Sequence, residues 1–245
     1  MQYTIRNYQP SDKEVVISLY SKANHEQVYP AFKRAMSHPV HAFVTAALCM
    51  TGYVSGGSSY IFALLAGGAW AGLVYYCCYD VFRSFFRQRT STALGNIPAP
   101  FLNHPDNGFW LAEVEIGGES KVAGMGAIVG RRRGGGEVRG EHPQDRDGGG
   151  SERYGEIMCL IVAPWCRRVG VGYRLMQTAL DFGEERQFSR IVLESTPVAV
   201  TLYRKLGFAL TCTQWPHRLV QRTTMLSPWA TKLSRITSIP MEKEL

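Results

Sequence analysis

The residues best suited to chemistry lie in Pro164-Trp165-Cys166-Arg167-Arg168-Val169-Gly170-Val171-Gly172-Tyr173. The segment follows an apolar run, Ile157 to Val162, and leads into an amphipathic run, Leu175 to Phe188. That order reads as strand, tight turn and helix. Within it the pattern Arg-x-x-Gly-x-Gly extends from Arg167 to Gly172. A glycine-rich turn opening a helix offers amides that have no helical partner, together with the positive end of the helix dipole. Both suit a phosphate, and glycine lets the backbone approach it closely. The same spacing also packs a helix on a strand, so the turn alone does not choose between the two.

Composition narrows the field. The chain has 245 residues and a formal net charge of +7. That excess of base suits anionic partners: nucleic acid, an acidic membrane surface or a phosphorylated cofactor. No basic helix with base-reading polar residues and no Cys/His finger spacing is present, so nucleic acid is not expected. The six cysteines include the adjacent Cys77-Cys78 in an apolar run, and no Cys-x-x-Cys occurs. No metal site or disulfide framework is expected from that pattern. Reduced thiols suit a domain that faces the cytosol.

The elements that must position the turn follow along the chain. Tyr3 and Ile5 read as a strand, Pro10-Ser11-Asp12 as a helix start, and Val15, Val16, Leu19, Tyr20 and Ala23 as a helix face. The Met1 end lacks the basic-then-apolar plan of a cleaved signal. Phe109–Val114 and Lys121–Val129 form a predicted hairpin around Gly117-Gly118. Glu156–Ala163 and Ile191–Leu193 read as buried strands, and Val198–Leu206 as a short helix capped by Gly207. A strand over Ile236–Met241 carries Pro240 and is expected at a sheet edge at best. Residues 131–153 hold a single aliphatic, Val138, among glycines and charges, and are expected to be a disordered insertion.

From Val40 to Tyr79 there is no Asp, Glu, Lys or Arg. As helix at ~1.5 Å per residue, that run is roughly twice the thickness of a bilayer's hydrocarbon core. Ser55-Gly56-Gly57-Ser58-Ser59 breaks it in the middle. Two spans or a re-entrant hairpin both fit, and a pair of buried soluble helices is the alternative. Lys33 and Arg34 precede the run, and Arg83, Arg87 and Arg89 follow it. Basic flanks on both sides are expected to lie in the cytosol, which a hairpin permits and a single span does not.

The turn is followed downstream by Leu202-Tyr203-Arg204-Lys205-Leu206-Gly207-Phe208. In this order the two motifs resemble the GNAT superfamily of acetyl-CoA-dependent N-acetyltransferases, over residues 109–213, with Tyr3 to Ala23 as its first strand and helix. With the charge-free insert, the chain is similar to the camello-like, N-acetyltransferase 8-related group of membrane-bound enzymes of the endoplasmic reticulum. The resemblance implies an α+β fold, a mixed and mostly antiparallel sheet flanked by helices, with an inserted membrane hairpin. Its implied layout is 1–36 as first strand and helix, 37–82 as hairpin or re-entrant segment, 83–108 as linker and 109–245 as main domain.

The same resemblance implies a site. Acetyl-CoA would place its pyrophosphate on the backbone of Arg168, Val169, Gly170, Val171, Gly172 and Tyr173, with Arg167 or Arg168 adding charge. The backbone of Leu160, Ile161 and Val162 would receive the acetyl carbonyl and pantetheine arm. Tyr203 matches the family tyrosine that protonates the leaving thiolate. Glu156 is the first candidate for general base; Glu113 and His217 are weaker ones. Thr196 stands where many members have Asn, so it keeps one hydrogen bond where an amide makes two. No metal is implied. The acceptor is an amine: a cysteine S-conjugate or similar small amino acid, or else a protein lysine. A non-catalytic acyl-CoA-binding module is the remaining alternative.

Overall fold

The apolar runs that flank the turn become the strands of one sheet. The computed structural model describes residues 3–89, 104–133, 152–197, 199–211, 228–236 and 239–245. They fall into two compact units: Met1–Leu19, Asn96–Thr213 and Ser238–Leu245 in the first, Tyr20–Gly95 and Gln214–Thr237 in the second.

The first unit holds β1 (Tyr3–Asn7), β2 (Asn107–Ile116), β3 (Glu119–Arg133), β4 (Glu152–Val162), β5 (Arg190–Ser195), β6 (Ala209–Leu210) and β7 (Ile239–Glu244). They make a seven-stranded sheet in the order β1-β2-β3-β4-β5-β7-β6. All neighbours are antiparallel except β4 and β5, which run parallel. The long crossover between these two is α4 (Val171–Glu185), as a parallel pair requires. Val171, Leu175, Met176, Ala179 and Leu180 recur at helical spacing and are buried on the core side of α4. Phe182 is half-buried and meets Trp110 edge-on. After β5 comes α5 (Val200–Lys205), closed by Gly207 at φ 87°.

Two strand readings change. β3 runs to Arg133 and β4 begins at Glu152, so the ends of the expected 131–153 insertion are sheet. Charge pairing supports these strand ends where aliphatic residues are lacking. Arg131 Nε binds Glu156 Oε2 at 3.0 Å, Arg153 binds Asp106 at 2.6 Å, and Arg190 binds Glu152. Residues 134–151 lie outside the described residues. The second change concerns β7, which is interior, between β5 and β6, despite Pro240. The Pro240 carbonyl accepts from the Thr211 N–H at 3.2 Å. In an antiparallel strand a residue's nitrogen faces the same neighbour as its carbonyl. The donor that proline lacks therefore faces past the end of two-residue β6, and no bond to β5 is lost.

The second unit is helical. α1 (Lys13–Met36) contributes Tyr20–Met36 to it, with α2 (Pro39–Ser55), α3 (Tyr60–Arg89) and α6 (Pro228–Ser234). α2 and α3 break where the glycines and serines predicted, with Gly57 and Ser58 both at φ 66°. Val28 and Ala35 of α1 pack on Val74 and Cys78 of α3. Helix α3 continues to Arg89, so residues 83–89 of the expected linker are helical. Tyr60–Ser84 is the one stretch among the described residues that is long and apolar enough to cross a membrane, judged by length and composition. α2, at 17 residues, is shorter.

An ion-pair latch fixes β1 to β2 and to the start of α1. Arg6 donates to Asp12 at 2.7 and 2.8 Å and to Glu113 at 2.6 Å. Glu113, a weaker candidate base, is thus engaged in holding the sheet edge. The Arg6 bond, aided by the Gln9 N–H, holds the Asp12 carboxyl below its ordinary range against the opposing effect of burial. A depressed folded value means that the contribution is present above the ordinary carboxylate range and fades as pH falls through the folded value. Arg6→Gln should therefore cost about 2 kcal/mol at neutral pH. Denaturant titrations of both proteins should converge in strong acid; an equal gap at neutral and acid pH would contradict this role.

Candidate functional site

The site is built where β4 leaves β5. The two strands pair only through Tyr154–Arg190, Gly155–Ile191 and Glu156–Val192. Beyond Glu156 they part, and Leu160, Ile161 and Val162 keep a strand partner only on the β3 side, at Gly126, Met125 and Gly124. A bulge lies just past the split: Ile128 faces Ile157 while Ala127 faces Cys159, leaving Met158 as the extra residue. Gly126 looks onto Leu160 and Leu175, and Gly124 onto Val171 and Leu175, so Leu160 and Val162 share the face on which α4 lies. By alternation Cys159 and Ile161 point to the opposite face.

The predicted turn stands at the end of this exposed strand edge. Pro164–Cys166 make one 3-10 turn, and Gly170 is the N-cap of α4 at φ 92°, with no side-chain cap. The first intrahelical bond runs from the Arg174 N–H to the Gly170 carbonyl at 3.0 Å. The amides of Val171, Gly172 and Tyr173 precede it and have no helical carbonyl to bind. Arg167, Arg168 and Val169 are exposed. Arg167 Nε donates to the Val162 carbonyl at 3.1 Å and ties the turn to β4. Arg168 has φ 68°, a left-handed conformation that a side chain rarely adopts.

The other predicted residues lie on α5, β5 and β4. A Cβ on Gly172 would lie 3.4 Å from Val162 Cγ2 and 3.7 Å from Leu202 Cδ2, so the helix bearing Tyr203 abuts the first turn of α4. Tyr203 is buried and meets the Phe208 ring edge-on at 5.8 Å. Burial, and secondarily Cys159, pushes its phenol up to about 12. The hydroxyl therefore holds its proton throughout the neutral range. Thr196 follows β5 with its side chain exposed. Its carbonyl accepts from Ser195 Oγ at 2.8 Å and from the Ala199 N–H at 2.9 Å. Glu156 sits at the last paired position before the split, one carboxylate oxygen on Arg131. The structure thus brings together Leu160–Val162, the 167–173 turn and the helix of Tyr203. His217 lies outside the described residues.

A model of the acetyltransferase (GNAT) family matches residues 75–208, more than half of the chain. The chain belongs to the GNAT family. It is 25% identical over 224 residues to a probable N-acetyltransferase camello of Xenopus laevis, covering 90% of this chain and 92% of that one. N-acetyltransferase 8B of Homo sapiens is 27% identical over 231 residues, covering 91% and 92%. A GNAT-family acetyltransferase of Staphylococcus aureus Mu50 shares the fold, with a TM-score of 0.53 at 12% identity over 100% of this chain and 99% of that one. This GNAT chain is, by class, an acetyl-CoA-dependent N-acetyltransferase.

Three neighbours of these predicted residues were not legible in the sequence. Arg131 reaches Glu156 from β3, a contact that the Val129–Glu156 register would have disclosed. Cys159 lies beside Tyr203. The Tyr3 hydroxyl lies 3.4 Å from where a Cβ on Gly170 would stand. The turn's two left-handed residues separate strain from freedom. Arg168→Gly should leave the unfolding midpoint unchanged, since strain relief and unfolded-chain entropy are each about 1 kcal/mol. Gly170→Ala should cost about 1–2 kcal/mol. Thermal unfolding without ligand checks both; an unchanged midpoint for Gly170→Ala would contradict the backbone assignment.

Proposed function

We propose that this acetyltransferase is membrane-bound and acetylates the free amine of a small amino-acid-type acceptor, a cysteine S-conjugate or similar, by direct attack in a ternary complex. The parting of β4 from β5 beside an uncapped, left-handed helix start carries the reading. The residues present suit acetyl-CoA. Three first-turn amides and the dipole of α4 face one way, with Arg167 and Arg168 at the same turn. Protein packing does not demand Gly172, whose missing Cβ would make only ordinary contacts. What its absence keeps open is close approach to the backbone.

Acetyl-CoA supplies the acetyl group as a thioester. The backbone of Leu160, Ile161 and Val162 would hold the pantetheine arm and donate to the carbonyl oxygen as charge develops there. Glu156, fixed by Arg131, takes the proton of the incoming amine through a water. Tyr203 gives its proton to the departing sulfur, and the raised phenol value keeps that proton available. The Thr196 hydroxyl makes one bond to the cofactor arm. The acceptor class rests on the likeness to the camello-like group.

The membrane reading rests on surface and topology. Phe43 on α2 and Leu64 on α3 are each 75% exposed, in helices with no charge between Val40 and Tyr79. Antiparallel pairing of β1 with β2 keeps both strands on one side of any membrane, which supports a hairpin of α2 and α3, and the basic flanks favour cytosolic ends. The endoplasmic reticulum is its proposed location, with the acetyl donor drawn from the cytosol.

Release of CoA from purified enzyme, with a cysteine S-conjugate, aspartate and a lysine peptide in parallel, tests the reaction. The S-conjugate should turn over. Tyr203→Phe should lower kcat about 100-fold while the KM for acetyl-CoA stays within about twofold. Unchanged kcat would make Tyr203 structural, and acetyl-CoA binding without turnover on any amine would overturn the enzyme reading. Protease access to tags at each terminus in sealed vesicles tests the hairpin; termini on opposite sides would sink it.

A further inference from the structure

The helix near the C-terminus, α6, has no part in the chemistry and lies far in sequence from the hairpin, yet the fold brings it there. Ala230, Leu233 and Ile236 pack with Cys77 and Val81 of α3. His41 lies near the Leu233 backbone and near Arg235. His41 is in the first turn of α2, while Cys77 and Val81 lie toward the C-terminal end of α3. α6 is therefore docked at the base of the α2–α3 pair, the end opposite the Ser55–Ser59 break. At that level the apolar stretch gives way to Asp80 and Arg83.

Docking spends the apolar face of α6 and turns its other residues outward. Trp229 is 73% exposed, and Lys232 and Arg235 are exposed as well. Lys33 and Arg34, at the end of α1 just before α2, and Arg83 on α3 are exposed too. Among described residues from Phe32 to Ser84 and from Pro228 to Ile236, the charged side chains are these five cations and Asp80. None of the five forms an ion pair among the described residues. An exposed indole beside unpaired cations, level with the end of an apolar helix, is the pattern of a membrane–water interface. The cations want anions, and the indole wants a surface with an apolar and a wet side.

We infer that α6 is an interfacial anchor, with Trp229 seated among headgroups of the cytosolic leaflet and Lys232 and Arg235 binding anionic phospholipid. The inference rests on the hairpin reading above. A free protein partner fits less well, because α6 is docked on α3, which with α2 carries large exposed apolar residues such as Phe43 and Leu64.

The test uses the full chain reconstituted in vesicles containing brominated phosphatidylserine or brominated phosphatidylcholine as quencher, both at the same mole fraction. Emission that Trp229→Phe removes isolates the signal of this indole. Brominated phosphatidylserine should quench that signal more strongly. Lys232→Gln and Arg235→Gln should each lower the local enrichment of anionic lipid about fivefold, and the double variant should abolish the preference. Absence of quenching by either lipid would overturn the anchor, and equal quenching by both would overturn the anionic seat. Alkaline carbonate extraction reads the hairpin separately: release of the chain would sink the span and leave the quenching ratio to decide α6.

Discussion

The structure turns on one interruption, the parting of β4 from β5 after Glu156. A parallel pair with α4 as crossover would ordinarily stay zipped along its length. Here it opens after three residue pairs, and the bulge at Met158 lies just beyond. A strand edge left inside a sheet has backbone groups to satisfy, which is costly unless something else binds them. On the proposed reading, a ligand arm along Leu160–Val162 would supply part of that bonding, and Arg167 already binds the Val162 carbonyl. The rest of the sheet holds the split open. β3 pairs with β4 to its end, and β7 lies along all of β5 on its far side.

The second constraint is local. The loop after β4 must reverse direction before α4 begins. Left-handed backbone at Arg168 and Gly170 accomplishes this, and Arg167 ties the turn back to the Val162 carbonyl. Only one of the two left-handed positions is glycine, so some strain is retained in this turn. Tyr203 is governed by burial instead. The packing that buries its ring beside Phe208 also withholds the solvent that would stabilise a phenolate.

What was legible in the chain was local. Arg167–Gly172 and Tyr203–Phe208 are contiguous motifs whose strand, turn and helix contexts are set by neighbouring residues, and both formed where expected. The break at Ser55–Ser59 was equally local. Non-local placements were not legible. Pro240 reads as an edge residue until the strand on its blind side proves to be only two residues long. The polar ends of β3 and β4 read as disorder because their support comes from Glu156, Asp106 and Arg190, distant in sequence. α6 is seven residues long, too short for periodicity to identify, and its place on α3 depends on contacts made across most of the chain. The first helix read as lying wholly within segment 1–36 of the GNAT domain, whereas α1 divides between the two units.

The central claim concerns particular backbone amides, so the most direct measurement is amide hydrogen exchange with and without saturating acetyl-CoA. Exchange should slow in two segments, residues 158–162 along the split and residues 168–173 at the start of α4. The paired strand over residues 121–129 should be unchanged. Saturable binding that leaves both segments exchanging at their free rates would contradict it.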